Sequence, residues 1–340
     1  MEYYSNQTLL SKLDINNKKP EIYICTGNRT AGKTFNFNSY LVNQYLKNKS
    51  QFMLLYRNKY ELEDVDKKFY SDIEDKFYPH VLTTKYICKK NFVEIYLDDK
   101  ICGFAVSLRG ADIVKKYSHY FNNVQRMLFD EFQSEDNVYL PNEVDKLISI
   151  HTSVARGHGK AVRYVPVYLL SNTVSILNPY YSALGIAERI QEKTRYLRGD
   201  GFVFELTLNK AASEKQKESA FNRAFAGNKQ IDFMIENIYL NDNKCLIDKN
   251  VNKTRYICTL KNESNFYGVY FTDAGFYYID NTYDKTNTFI LACNVGDVDD
   301  VARFDRSSMT INTLRRAFNN GMFRFKNLEC KKVIIDLLHY

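Results

Sequence analysis

No apolar run in this chain approaches the roughly 18 residues that a membrane-spanning helix needs. The opening Met1-Glu2-Tyr3-Tyr4-Ser5-Asn6-Gln7 also lacks the basic and apolar regions of a secretory leader. Both absences point to a cytosolic protein with no membrane partner. The seven cysteines (Cys25, Cys88, Cys102, Cys245, Cys258, Cys293, Cys330) are odd in number and never fall in C-x-x-C spacing. That argues against a disulfide framework or a zinc site and for buried, reduced thiols. Charge of one sign is also scarce: 47 Lys and Arg against 40 Asp and Glu leave +7, which is compatible with a nucleic-acid partner without requiring one. What is present is ordinary globular composition, 45% hydrophobic and 26% charged over 340 residues, long enough for two folded domains.

Against this background one run stands out. Gly27-Asn28-Arg29-Thr30-Ala31-Gly32-Lys33-Thr34 follows the apolar Ile22-Tyr23-Ile24-Cys25, so a complete P-loop lies where a strand should turn into a helix. Such a loop wraps backbone N–H groups around phosphate oxygens, with Lys33 reaching the β and γ phosphates and the Thr34 hydroxyl holding Mg2+. ATP and Mg2+ are the expected ligands. About a hundred residues later, Val124-Gln125-Arg126-Met127-Leu128-Phe129 ends in Asp130-Glu131, the form of a Walker B strand. There Asp130 would bind Mg2+ through its water shell, and Glu131 would polarise the water that attacks the γ phosphate.

Other positions stay open on spacing alone. Asn172, after the run 164–170, is either a γ-phosphate sensor or a turn asparagine. The basic stretch Arg156-Gly157-His158-Gly159-Lys160, with Arg163 behind it, is either the source of an arginine finger or a solvated loop. Arg57 and Lys59 are divided between phosphate contact, subunit interface and surface. Tyr4 and Gln7 lie where a base-recognition segment could sit. Arg109-Gly110, Lys115 and Lys116 form a basic, polar stretch before the Walker B run, a candidate DNA-gripping loop.

Apolar runs at 22–26, 52–56, 92–97, 101–106, 124–129 and 164–170 alternate with polar or helix-period segments, predicting an α/β sheet covered by helices. Phe92–Leu97 and Ile101–Val106, joined by Asp98-Asp99-Lys100, read as a hairpin. Pro141 with Val144, Leu147, Ile148 and His151 predicts a helix ending near Gly157. These signals divide the chain into a P-loop domain over 1–205, a short, partly helical linker over 206–232 and a smaller C-terminal domain over 233–340. In the last, residues 233–290 read as largely β, and two helices close the chain, one from Ser307-Ser308 to Gly321 and one through 333–338. Residues 303–340 carry eight basic side chains against three acids, with Phe304, Phe318, Phe323 and Phe325 interleaved. That pattern fits a nucleic-acid face or a solvated helix face over an aromatic core.

Longer strings carry a resemblance. Leu128-Phe129-Asp130-Glu131-Phe132, Tyr139-Leu140-Pro141-Asn142-Glu143-Val144 and Leu170-Ser171-Asn172-Thr173-Val174-Ser175-Ile176-Leu177-Asn178-Pro179-Tyr180 closely resemble the DNA-packaging ATPases of small podoviruses, phage motors that use a structural packaging RNA. Similarity extends through the P-loop, the hairpin, Glu61-Leu62 and Tyr277-Tyr278-Ile279-Asp280. The resemblance implies an ASCE-type P-loop ATPase working as a homo-oligomeric ring, a pentamer in family terms. Its place would be the host cytoplasm, docked at the portal vertex of the procapsid, where it moves double-stranded DNA inward. By position it makes Lys33 and Thr34 the phosphate and metal residues, Asp130 the Walker B acid, Glu131 the catalytic base and Arg156 a trans-acting finger, with Lys59 toward the neighbouring nucleotide. It further implies a C-terminal α+β domain similar to a vestigial RNase H-like nuclease. Two-metal cleavage needs clustered acids, and Asp273, Asp280 and Asp284 form no convincing cluster, so the domain is expected to bind nucleic acid without cutting it. The alternative expectation is a nucleotide-gated nucleic-acid-binding or capsid-assembly protein without significant turnover.

Overall fold

Tyr23 and Cys25 of strand β1 (Ile22–Gly27) point to one face and Ile24 to the other, yet all three are buried. A strand apolar on both sides needs cover on both sides. The computed structural model describes residues 4–29, 31–87, 92–135, 138–156, 162–176, 178–187, 189–190, 194–207, 218–224, 251–305, 308–319 and 322–339. Two compact units emerge: Met1–Gln133 with Glu143–Thr173 and Arg189–Ile238, and Ser134–Asn142 with Val174–Glu188 and Tyr239–Tyr340.

The first unit is built on a nine-stranded mixed sheet. To β1 it adds β2 (Gln51–Tyr56), β3 (Leu82–Ile87), β4 (Phe92–Leu97), β5 (Lys100–Ser107), β6 (Val124–Phe129), β7 (Val167–Asn172), β8 (Tyr196–Gly199) and β9 (Phe202–Thr207), in the order β3-β4-β5-β2-β6-β7-β1-β9-β8. The six strands from β5 to β9 in that order are mutually parallel, and antiparallel strands finish each edge. Helices α1 (Gln7–Leu10), α2 (Lys33–Asn48), α3 (Val65–Tyr70), α4 (Glu74–Phe77), α5 (Ala111–Lys116) and α6 (Glu143–Ala155) connect them. Phe37, Leu41, Val42 and Tyr45 of α2 share a core with Tyr23, Cys25, Leu54 and Leu128. On the opposite face Phe104 meets Phe121 edge-on, ring centroids 5.0 Å apart.

The expected hairpin is β4–β5. Asp98 and Asp99 both take positive φ, 50° and 60°, the turn geometry that matches strand twist in a two-residue connection, and Lys100 belongs to β5 rather than to the turn. Three strands of this unit were not anticipated. β3 is a half-exposed edge strand with a polar interior, while β8 and β9 form a second hairpin just before the expected linker. The helix expected from Pro141 to Gly157 runs instead from Glu143 to Ala155. Within 206–232 the described residues form the end of β9 and helix α8 (Ala220–Ala224).

In the second unit a six-stranded sheet combines β10 (Lys253–Asn262), β11 (Asn265–Thr272), β12 (Tyr277–Asp280), β13 (Ile290–Ala292), β14 (Ala302–Arg303) and β15 (Phe323–Phe325) in the order β14-β13-β10-β11-β12-β15. β10, β11 and β12 are an antiparallel meander, and β13 and β14 continue it in parallel on the β10 side. Helix α7 (Pro179–Ala183) has the Asn178 side chain accepting from the N–H groups of Tyr180 and Tyr181. The two closing helices are α9 (Met309–Asn319) and α10 (Leu328–His339), with the unanticipated β15 between them. Residues 233–250 lie outside the described residues. Cys25, Cys102, Cys258, Cys293 and Cys330 are free and buried; Cys88 and Cys245 also fall outside them.

Two tests follow from this packing. Gly103 of β5 stands opposite Phe52, and a Cβ there would lie 2.7 Å from both the ring and the carbonyl oxygen of Phe52. Gly103→Ala is expected to destabilise the first unit by about 1–3 kcal/mol, measured by urea unfolding; an unchanged midpoint would contradict the tight approach. In the second unit, burial lifts the Asp336 carboxyl to about 6, reinforced by Asp297 and Glu263 and opposed by Lys332 and Asn262. The folded state therefore holds this proton more tightly than the unfolded chain, so stability is lost as pH rises from about 4 through 6. Asp336→Asn is expected to stabilise the unit by up to about 3 kcal/mol above pH 7 and to change little at pH 4. Unfolding curves at the two pH values decide it.

Candidate functional site

The parallel strands bring the ends of β2, β6, β7 and β1 to one edge of the sheet, where open α/β sheets place their ligands. Gly27 closes β1 with Asn172 beside it on β7 and Thr207 on β9. A Cβ on Gly27 would lie 2.3 Å from the Thr207 carbonyl oxygen, so the neighbouring strand itself demands glycine here. Gly32, at φ 88°, turns the loop into the first turn of α2, a conformation that costs residues with a Cβ. Asn28 and Ala31 are buried, Arg29 is half-buried and Thr30 lies outside the described residues.

Lys33, the first residue of α2, is 7% exposed, and its ammonium donates to the carbonyls of Asn28 at 2.8 Å and Gly27 at 3.2 Å. Burial lowers its pKa, while the Cys25 and Asp130 side chains pull it back up. One residue on, Thr34 Oγ1 donates to Asp130 Oδ2 at 2.6 Å, and Asp130 Oδ1 accepts the Glu131 N–H at 2.9 Å. Burial raises the Asp130 carboxyl, opposed by Thr34, the Glu131 N–H and Lys33. Glu131 itself stands at φ 55° with its side chain exposed. This backbone region costs a residue with a Cβ about 1–3 kcal/mol and persists only when its surroundings over-determine it. Thr34, Asp130 and Glu131 line a cavity of about 330 Å³ together with Tyr56, Glu61 and Lys68.

The oxygen set of Thr34 and Asp130 is the chemistry Mg2+ prefers, and the Lys33 ammonium with the N-terminal end of α2 is suited to phosphate. The P-loop residues, Asp130, Glu131 and Asn172 are thus brought to one edge. Arg156 and Lys59 are not part of that cluster. Arg156 is exposed after α6, its backbone bridged to Val162, about 20 Å from the Glu143 end of that helix; residues 157–161 lie outside the described residues. Lys59 is exposed at the start of a 3-10 turn, Lys59–Leu62.

Several open positions acquire definite places. Arg163 donates to the carbonyls of Val124 at 3.0 Å, Phe121 at 3.4 Å and Val154, so it staples the end of α6 to the sheet rather than offering a finger. Tyr4 is buried, stacks on Phe37, donates its hydroxyl to Glu205 at 2.8 Å and its N–H to the Ala31 carbonyl at 3.0 Å. It supports the loop from behind instead of reading a base; Gln7 is exposed at the start of α1. Lys115 and Lys116 end helix α5 rather than a loop, and Arg109 donates to Asn58 at 3.0 Å. Arg57 forms an ion pair with the buried Glu143 carboxylate. Nothing in the spacing pointed to Glu143 or Glu205, because each meets its partner only across the fold.

In the second unit Asp280 is held by Lys253 at 2.5 Å and Lys326 at 3.0 Å. Burial alone would raise this carboxyl, but the two lysines and the Thr282 N–H bring it down to about 2. Asp273 accepts from Asn252 and Asp284 from Thr286. Among the described residues no group of three or more His, Cys, Asp or Glu is placed to hold a metal ion. Of the basic tail, Lys326 is committed to Asp280, and Lys331, 1% exposed, donates to Ser175 at 3.0 Å. Phe318, Phe323 and Phe325 belong to the hydrophobic core. Three of the four interleaved aromatics are therefore packing, while Phe304 is half-buried.

Known proteins resemble this chain over its full length. The family model for the podovirus DNA encapsidation protein (Gp16) matches residues 1–340. The DNA packaging protein of Bacillus phage phi29 is 25% identical over 342 residues, covering 98% of this chain and 96% of the relative, and that of Bacillus phage B103 is 25% identical over 310 residues, covering 88% and 91%. Among solved structures, the phi29 genome packaging motor assembly aligns with a TM-score of 0.59 at 23% identity, covering 98% of both chains. The N-terminal domain of the phi29 DNA packaging ATPase aligns at 0.50 and 28% identity, covering 60% of this chain and 96% of that one. A chain matched end to end by that family model, with the strand order and loop geometry described above, belongs to the podovirus DNA encapsidation protein (Gp16) family.

Proposed function

We propose that this chain is an ATP-hydrolysing subunit of a ring-shaped motor that moves double-stranded DNA into an empty capsid. The observation that carries the reading is the Lys33–Thr34–Asp130–Glu131 cluster at the ends of β1 and β6, with β7 inserted between those strands. That insertion supports the ASCE type of P-loop ATPase, and the similarity to phage DNA packaging proteins supports the cargo.

In this mechanism ATP lies along the loop 27–34, its phosphates facing the α2 N-terminus and Lys33. Thr34 and Asp130 would hold Mg2+, which would supply positive charge against the phosphates. Glu131 takes the proton from the attacking water as the bond to the leaving oxygen breaks, releasing ADP and phosphate. Asn172, adjacent to Gly27, orients the γ phosphate. Arg156 of a neighbouring subunit completes the site, and Lys59 faces the neighbour's nucleotide, so exposure of both on the isolated chain fits a ring, a pentamer by family resemblance.

The portal and packaging RNA are the proposed partners at the procapsid vertex in the host cytoplasm. Residues 1–205 would be the motor domain, 206–232 the linker and 233–340 an RNase H-like domain that binds without cutting. The β12-β11-β10-β13-β14 order, a meander continued by two parallel strands, supports that last assignment, and the lysine-neutralised Asp280 supports the loss of cleavage.

Glu131→Gln is expected to cut DNA-stimulated turnover by about 10²–10⁴ while leaving ATP affinity within a few-fold. An equimolar mixture of Glu131→Gln and Arg156→Ala subunits should recover activity that neither has alone. A dead mixture beside an active wild type would remove Arg156 from the trans role, and a wild type without turnover on DNA would overturn the hydrolytic reading. Replacing the exposed Lys115 and Lys116 together by alanine should weaken DNA affinity and flatten its salt dependence by about two phosphate contacts. Unchanged affinity and slope would take α5 out of the DNA path.

A further inference from the structure

We propose that Arg57 is a positioning residue for hydrolysis: its guanidinium clamps the turn that carries Glu131 and ties that turn to the start of α6. The inference rests on the hydrolytic reading above and names a residue that reading does not use.

Arg57 follows β2 directly, and β2 is the neighbour of β6 in the sheet, with Leu55 opposite Phe129. The guanidinium therefore starts beside the end of the Walker B strand, 5.5 Å from the Phe129 ring centroid. Its Nε donates to both Glu143 oxygens, at 3.1 and 2.9 Å, and Nη2 donates to Glu143 Oε1 at 3.0 Å. The same Nη2 donates to the Phe132 carbonyl at 2.6 Å, and Nη1 reaches toward the Glu131 carbonyl at 3.5 Å. The Glu143 side chain is 0% exposed and that of Arg57 12%.

A buried ion pair is weak support for stability, because desolvation consumes most of its Coulombic gain. Its value here is geometric. Phe132 donates its N–H to the Leu170 carbonyl at 3.1 Å and gives its carbonyl to Arg57, so the residue after Glu131 is held on both sides. The residue before it, Asp130, is held by Thr34 and by the Glu131 N–H. Glu131 stands in a left-handed conformation between two fixed neighbours and lines the cavity. Arg57 holds this turn and α6 at the same time, since Glu143 is the first residue of that helix.

Arg57→Lys in the full chain tests the clamp, because lysine keeps the charge opposite Glu143 but lacks the fork needed to bridge a carboxylate and a carbonyl together. Amide hydrogen exchange in peptides covering 130–134 and the first turn of α6 should accelerate about tenfold. ATP turnover should fall at least tenfold, with affinity for a fluorescent ATP analogue within twofold of wild type. Glu143→Gln, a neutral near-isostere, should move both readouts in the same direction and serves if Arg57→Lys does not fold. Unchanged exchange together with turnover within twofold would overturn the proposal, as would affinity falling in parallel with turnover. A wild type that does not hydrolyse ATP would sink the hydrolytic reading, and exchange alone would then decide the clamp.

Discussion

Lys33 and Asp130 carry opposite charges into a recessed edge of a parallel sheet, and the surrounding architecture answers the cost of putting them there. A desolvated charge must be paired or hydrogen-bonded. Lys33 spends its donors on the Gly27 and Asn28 carbonyls, and Asp130 accepts from Thr34 and from the Glu131 backbone. Burial pushes the ammonium down and the carboxyl up, and each charge partly restores the other. Such a site is polarised before any ligand arrives, which is the condition for strong electrostatic stabilisation of charge transfer.

Two arginines extend this order outward. Arg57 holds the first residue of α6 and Arg163 the carbonyl of Val154 near its last. Both are forks suited to several acceptors at once, and both take carbonyl oxygens that loops and helix ends leave unsatisfied. Behind the loop, Tyr4 links the Ala31 carbonyl to Glu205 on β9, and Tyr196 donates to the other Glu205 oxygen at 2.6 Å. The loop that leads into α2 is thereby braced from the rear by Tyr4, Tyr196 and Glu205.

The second unit uses its charges differently. Asp280, buried at the end of β12, is neutralised by two lysines, and Lys331 is drawn inside to Ser175. Acids engaged by lysines and by local turn hydrogen bonds are poorly placed to gather metal ions, and lysines engaged by acids are withdrawn from any phosphate-binding face. The basic side chains of this tail that stay exposed include Arg303 and Arg316.

What the sequence alone determined is local. Glycines at fixed offsets before Lys33-Thr34, an apolar run closed by Asp130-Glu131, and two alternating runs around Asp98-Asp99 each carry their meaning within a few residues, because loop, strand and turn chemistry depend on neighbours in the chain. The family-specific strings added the motor reading for the same reason. Tertiary structure decided whatever depends on distant partners. Arg57 finds Glu143 at a separation of 86 positions and Tyr4 finds Glu205 at 201, so no window of sequence contains both members of either pair. Edge strand β3 and the β8–β9 hairpin were hidden likewise: a half-exposed edge strand has polar interior positions, and β9 earns its place only by pairing with β1. Backbone bonding and burial across the sheet, not local propensity, turned Arg163 and Tyr4 from candidate ligands into supports.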